Sequence, residues 1–340
     1  MRLKVILITA ALALFIAGAV QSFRSKTSAP VPEITERPAA APARTLTVTA
    51  TGDCTFATDS NADIDAGFVG FADRYGYEYF FKNMRELFSS DDLTLINFEG
   101  TLSENGERED KQFAFRGDPE YVKVMTSSSV EAANLANNHS SDYGSISLQD
   151  TRRILEENGI LTCRGKDNVT VTEINGIQVG LVGINYLNDK MKTELEDALC
   201  KAKDNGAELI ILSIHWGIEK ETEPNEEQIE AAHRAVDCGA DLVIGTHPHV
   251  LQGYEIYKGK YILYSLGNFC FGGNNNPSDK DTAVFRQTFT LENGSITKDD
   301  NAEIIPCRIS SHSRYNDYQP FIAEGDEAER ILKKIPLIEY

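Results

Sequence analysis

The stretch GTHPHVLQG, residues 245–253, sets two imidazoles, His247 and His249, either side of a proline and directly after an apolar run. The chain has six histidines in 340 residues, so two at one such place suggest imidazole chemistry: holding a transition metal or moving a proton. Similar residues close other apolar runs. Asp53 ends LTVTATGD and Glu99 ends LTLINFE. Asn138 and His139 follow EAANLAN, His215 ends AELIILSIH, and Asn268 follows KYILYSLG. Carboxylate, amide and imidazole are the groups that bind divalent transition metals. Singly, each is ordinary, because Gly-Asp is common in turns and a lone His215 is more often a satisfied core histidine. If residues 247–249 are extended, both imidazoles point the same way. The joint pattern, all at strand ends, indicates a metal or phosphate-type site.

Strand and helix signals alternate through the body. Apolar residues recur at helical spacing over 77–88, 147–159, 195–206 and 226–239, between apolar β-branched runs. Asn175-Gly176 marks a hairpin turn. After Thr246 come strand patterns with no helix between them. Such an order predicts parallel βαβ units plus an antiparallel sheet, two sheets face to face with helices outside. Ligand sites in open α/β sheets form beyond the carboxyl ends of the strands, where these polar residues fall.

The net charge of −19 repels phosphate backbones, so no nucleic-acid partner is expected. Arg2 and Lys4 precede an apolar stretch, and residues 1–22 read as a signal peptide or signal anchor. Residues 23–44 are rich in Ala, Pro and Ser and read as a tether. The folded body is expected over 45–320, with a helical segment over 321–340. The leader implies an extracytoplasmic protein, membrane-anchored or secreted. The six cysteines show no CxxC pairing, and no disulfide is expected.

GDCTF (52–56), NFEGTL (97–102), ANNHSSDYG (136–144), HWGIE (215–219), GTHPHVLQG (245–253) and YSLGNF (264–269) together resemble the motif series of the CapA-type capsule-synthesis family. That family is associated with extracellular poly-γ-glutamate, and its domain belongs to the calcineurin-like metallophosphoesterase superfamily. The resemblance implies a four-layer α-β-β-α sandwich around a site for a divalent metal ion (Mn, Zn, Fe or Mg). Asp53, Glu99, Asn138, His215, His247 and His249 would hold the metal. His139 would be the acid near the leaving group, and Asp142, three residues on, a candidate to orient it. Glu219 and Asn268 belong to the motifs, and Arg116 is a further candidate for contact with substrate. The superfamily's Asp-x-His is here Asp53-Cys54-Thr55, and its second Asp is Glu99. One imidazole is therefore missing, and one metal is expected to bind better than a second.

The implied function is poly-γ-glutamate synthesis, export or anchoring with a metal-dependent hydrolase-like site, beside membrane-bound synthase subunits. Alternatives are an extracytoplasmic metallophosphoesterase and an inactive polymer-binding scaffold. An acidic chain needs a metal or a local basic patch to hold a polyanion, and Arg108, Lys111 and Arg116 are candidates for that patch. The loop GGNNNPSDKD (272–281) is expected near the rim of the site. His233 reads as a surface histidine, His312 as a loop residue, and Trp216 as core or a neighbour of the site.

Overall fold

The structure, a computed structural model, describes residues 43–297 and 301–339. The expected leader lies outside them, as does all of the tether but its last two residues. Among the described residues no helix is long and apolar enough to cross a membrane.

Two sheets form the centre. In the first, the strands Arg44–Thr55, Leu93–Phe98, Ala132–Asn134 and Leu161–Cys163 run parallel in that order. Asp281–Glu292 pairs antiparallel on the other side of Arg44–Thr55, with Ala302–Arg308 and Phe321–Ile322 beyond it. In the second, Ile177–Asn185, Leu209–His215, Leu242–Thr246 and Lys260–Leu263 run parallel, and a hairpin strand flanks each edge. The expected hairpin turn is present, with Asn175 and Gly176 at positive φ between Ile174 and Ile177.

Alternation along each strand makes the layers. Leu209 and Ile211 face the other sheet, where they meet Val48, Ala50, Leu93 and Leu95. Ile210, Leu212 and Ile214 face outward and are covered by the helices Leu195–Asp204 and Glu226–Asp237 through Leu199, Ala202, Ala231 and Ala235. On the far side, Ile96 and Phe98 pack beneath helices Phe68–Tyr75 and Gly144–Glu157. The result is the four-layer α-β-β-α sandwich.

The helical reading of 77–88 is corrected: the chain makes a 3₁₀ turn at Tyr77–Tyr79 and a short helix at Arg85–Phe88. Its apolar spacing serves an aromatic cluster instead. Phe80 stacks on Phe68 at 4.0 Å, and Phe81 meets both Phe56 and Phe269. The segment 321–340 holds a short strand before its helix Gly325–Leu332.

Candidate metal centre

The parallel strands of both sheets end on one side, and the polar residues that close them meet there. Asp53 sits at a bulge: the register of its strand shifts beside it against both Leu93–Phe98 and Asn268–Phe271. The approach is so close that a Cβ on Gly52 would overlap the Gly267 carbonyl oxygen, which accepts from the Asp53 N–H at 2.9 Å. Only glycine fits there. The Gly-Asp and Leu-Gly-Asn motifs thereby lock together, and Asp53 stands opposite Asn97 on one side and Asn268 on the other.

Asn97, which the motif reading passed over, is the hub of this layer. Its amide nitrogen donates to Asp53 Oδ1 at 2.8 Å and Glu99 Oε1 at 3.0 Å, and lies 3.3 Å from His215 Nδ1. Its carbonyl oxygen accepts from Asn134 and Asn137. The signal was present in the sequence: Asn97 is an amide inside the apolar run LTLINF.

His215 ends its strand fully buried. Its Nε2 lies 2.9 Å from Asn138 Oδ1, and its Nδ1 lies 3.0 Å from Thr246 Oγ1. One ligand atom each from Asp53, Glu99 and His215 lie within 4.8 Å of one another, as do those of Glu219, His247 and His249. The two groups adjoin. His249 Nδ1 is 3.0 Å from Asp53 Oδ2, and the His215 and His247 rings are 4.7 Å apart.

The pair His247/His249 does not lie on an extended segment as expected. Leu242–Thr246 ends before it, and both histidines adopt positive φ, 97° and 58°. Non-glycine residues avoid that region, and a backbone held there marks a geometry its surroundings enforce. The strained turn still sets the two rings 5.6 Å apart on one side.

The donor set fits a divalent cation. Glu99 Oε2 and His247 Nδ1 are buried without a hydrogen-bond partner. Such a group costs about 1–3 kcal/mol when left unsatisfied. A cation held by Asp53, Glu99 and His215 would satisfy the first, and one held by Glu219, His247 and His249 the second.

The electrostatics agree. Burial pushes the Glu99 carboxyl well above its ordinary range, reinforced by the Asp53 charge. Burial alone would also raise Asp53, but the hydrogen bond and charge of His249, with help from His215 and Asn97, hold it below the usual carboxylate range. Burial and then His247 push His215 well down, while burial and then His249 bring His247 to about 4. Both are therefore neutral imidazoles at neutral pH, the form that binds metal. Cys54 does not replace the missing imidazole: it faces the aromatic core, and burial pushes its thiol up to about 12.

Beside this centre, His139 Nδ1 meets Asp142 Oδ2 at 2.8 Å. Asp142 has no exposed side-chain surface and also accepts from the Phe115 N–H at 2.7 Å and Lys111 Nζ at 2.6 Å. Ammonium donates only and carboxylate accepts only, so the Nδ1 proton points to Asp142 and Nε2 is left for other partners. Burial lowers the His139 pKa, against the opposing pull of Asp142.

A cleft of about 220 Å³ opens over the centre, lined by Phe115, His139, Glu219, His249, Asn268 and Phe271. Glu219, expected at the substrate, thus stands with His247 and His249, and Asn268 Oδ1 is 3.0 Å from His249 Nδ1. Arg116 is elsewhere: its guanidinium stacks on Tyr143 and donates to the carbonyls of Asn105 and Gly106. Arg108 is tied to Asp59, and Lys111 to Asp142 and the Asn138 carbonyl. The three cations expected as a substrate patch instead pin the loop between Leu102 and Phe115. His233 is half-buried and paired with Glu255, His312 is exposed, and Trp216 is core, donating to the Tyr264 carbonyl.

The sequence pattern described as "Bacterial capsule synthesis protein PGA_cap" matches residues 47–273. The chain is 30% identical over 267 residues to the capsule biosynthesis protein CapA of Bacillus anthracis, covering 71% of this chain and 64% of that one. It is 28% identical over 246 residues to the PGA biosynthesis protein CapA of Bacillus subtilis, covering 63% and 65%. A probable polyglutamine synthesis accessory protein of Mycobacterium tuberculosis is 30% identical over 208 residues, 52% of this chain and 55% of that one. The match thus spans somewhat under two thirds of each relative's length. With its motifs inside the matched stretch, the chain belongs to the bacterial capsule synthesis protein family PGA_cap.

Proposed function

We propose that this protein serves the making, export or anchoring of an anionic capsule polymer of the poly-γ-glutamate type, outside the cytoplasm, through a metal-dependent hydrolase-like site. The observation that carries the reading is the convergence of Asp53, Glu99 and His215 with Glu219, His247 and His249, together with the buried unpartnered Glu99 Oε2 and His247 Nδ1. The names of the Bacillus relatives support the pathway. The basic-then-apolar stretch of residues 1–22 supports the location and a membrane attachment beside synthase subunits.

In this reading Asp53, Glu99, Asn138, His215, His247 and His249 hold a divalent cation, manganese, zinc, iron or magnesium. The bound cation supplies Lewis acidity that polarises an oxygen of the substrate. Asn97 fixes the carboxylates of Asp53 and Glu99 from behind. His139, its Nδ1 proton engaged by Asp142, would take up at Nε2 the proton released by the attacking water and pass it to the leaving group. Glu219 and Asn268 stand at the cleft for substrate, and Arg116 braces the loop between Leu102 and Phe115.

Metal analysis of the purified protein, followed by assays on a phosphodiester and on a γ-glutamyl peptide, tests this. Amide cleavage that needs both His139 and His247 supports the reading. Phosphodiester turnover alone, lost in His247→Ala, replaces it with a metallophosphoesterase. Polymer binding with neither metal nor turnover replaces it with an inactive scaffold.

A further inference from the structure

The loop 272–281 is the wall between two cavities. Ser278 and Asp279 line the cleft over the candidate metal centre and also a second cavity of about 500 Å³ on the other side. The second cavity has no apolar side chain among its lining residues, and Lys280, Arg308, Arg330 and Lys334 converge on it. In a chain of net charge −19, four cations against the two carboxylates Asp279 and Asp281 leave this hollow, next to the candidate centre, locally basic.

The carboxylates there do not use up this charge. Asp281 takes Arg330 through both oxygens and Lys334 at 2.6 Å, with Arg308 Nε at 3.7 Å. Asp279 takes Lys334 at 2.9 Å, and Glu327 takes Arg308. Among the described residues Lys280 has no carboxylate within ion-pair distance. It is only 7% exposed, and its ammonium donates to the Asn276 side chain and to the carbonyls of Pro277 and Ser313. Arg308 Nε is buried without a hydrogen-bond partner. The three Lys280 donors are thus used on neutral oxygens, and Arg308 is paired through its terminal nitrogens, so the one donor here buried without an acceptor is Arg308 Nε, which is costly while none arrives.

We propose that this cavity is a docking subsite for an oligomeric carboxylate, one stretch of an anionic polymer held by Arg308, Arg330 and Lys334, with the charge of Lys280 behind them, while a neighbouring unit crosses Ser278 and Asp279 into the metal cleft. The inference rests on the reading that the substrate is such a polymer. Several carboxylates spaced along one chain engage several cations at once, which a single small anion does not. The cavity thereby supplies the basic surface that Arg108, Lys111 and Arg116, occupied with the loop between Leu102 and Phe115, do not.

The test is binding of a fluorescent γ-linked glutamate oligomer to the full chain, with an inorganic oligophosphate as a second anion. The variants are Arg330→Gln/Lys334→Gln, Ser313→Glu and His247→Ala. Ser313 is exposed on the cavity wall, so Ser313→Glu adds a repelling charge without breaking an ion pair. The expected result is oligomer binding that weakens about tenfold or more in the first two variants, the worth of about one charge-assisted hydrogen bond, with metal uptake unchanged there and lost in His247→Ala. Unchanged binding in Ser313→Glu and in the double variant overturns the subsite and leaves the polymer reading standing, as does a double variant that only melts earlier. Tighter binding of oligophosphate than of the glutamate oligomer overturns the carboxylate class. No oligomer binding by the unaltered chain overturns both the subsite and the polymer reading. Oligomer binding without metal-dependent turnover overturns the hydrolase reading alone.

Discussion

Replacing Lys111 by Met removes one of three donors from a carboxylate with no exposed surface. Asp142 would keep the Phe115 N–H and His139 Nδ1 but lose the ammonium now 2.6 Å away. A hydrogen bond to a charged group contributes about 1.5–3 kcal/mol, and breaking a fully buried ion pair costs about 3–5 kcal/mol. Lys111 is 30% exposed, so water recovers part of the loss and the lower range applies, about 2 kcal/mol. In a folded body of about 300 residues the melting temperature should fall by about 3 °C. The assay is a double-mutant cycle of Lys111→Met, Asp142→Asn and the pair, followed by urea unfolding. A coupling of about 1–2 kcal/mol is expected, because each single change strands the same contact. Coupling within about 0.5 kcal/mol of zero would refute the claim that Lys111 and Asp142 act as one unit.

Three further outcomes follow from other contacts. Burial raises the Asp91 carboxyl to about 6, against its hydrogen bond from Thr94, so the folded state holds that proton more tightly than the unfolded chain. Stability is therefore gained as pH falls from about 6 toward 4, and ionised Asp91 is a burden above it. Asp91→Asn should be more stable than the unaltered protein by about 1 kcal/mol at pH 7.5, discounted for partial exposure, with the difference gone near pH 4 in thermal melts. Gly52→Ala forces a methyl into the Gly267 carbonyl; it should cost about 1–3 kcal/mol and weaken metal binding, both readable by calorimetry. Manganese at about a hundred times its dissociation constant should stabilise the protein by about 2.7 kcal/mol in thermal melts, and His247→Ala should abolish most of that shift.

What the chain reveals unaided is uneven, for physical reasons. Strand ends are legible because a buried apolar run must stop where a polar side chain appears, and Asp53, His215 and His247 each mark such a stop. Pooling them at one place follows from parallel topology alone. Asn97 escaped because it sits inside its strand, where its partners, Asp53, Asn134 and His215, come from three other segments. The conformation of His247-Pro248-His249 escaped because positive φ at histidine is set by the surrounding fold, against local preference. The aromatic spacing of 77–88 imitates a helix but answers to a cluster assembled from distant residues. Arg108, Lys111 and Arg116 looked free because ion-pair partners such as Asp59 and Asp142 are dozens of residues away. The second cavity escaped too, because Lys280, Arg308 and the pair Arg330 and Lys334 come from three separate stretches of chain.

The most direct measurement is anomalous diffraction from crystals of the protein grown with manganese. The account predicts an anomalous peak within ligand distance of Asp53, Glu99 and His215, or of Glu219, His247 and His249, and the loss of that peak in a variant with His215 and His247 both changed to Ala. Crystals that show no peak at these groups, or whose peak survives that double change, would contradict it.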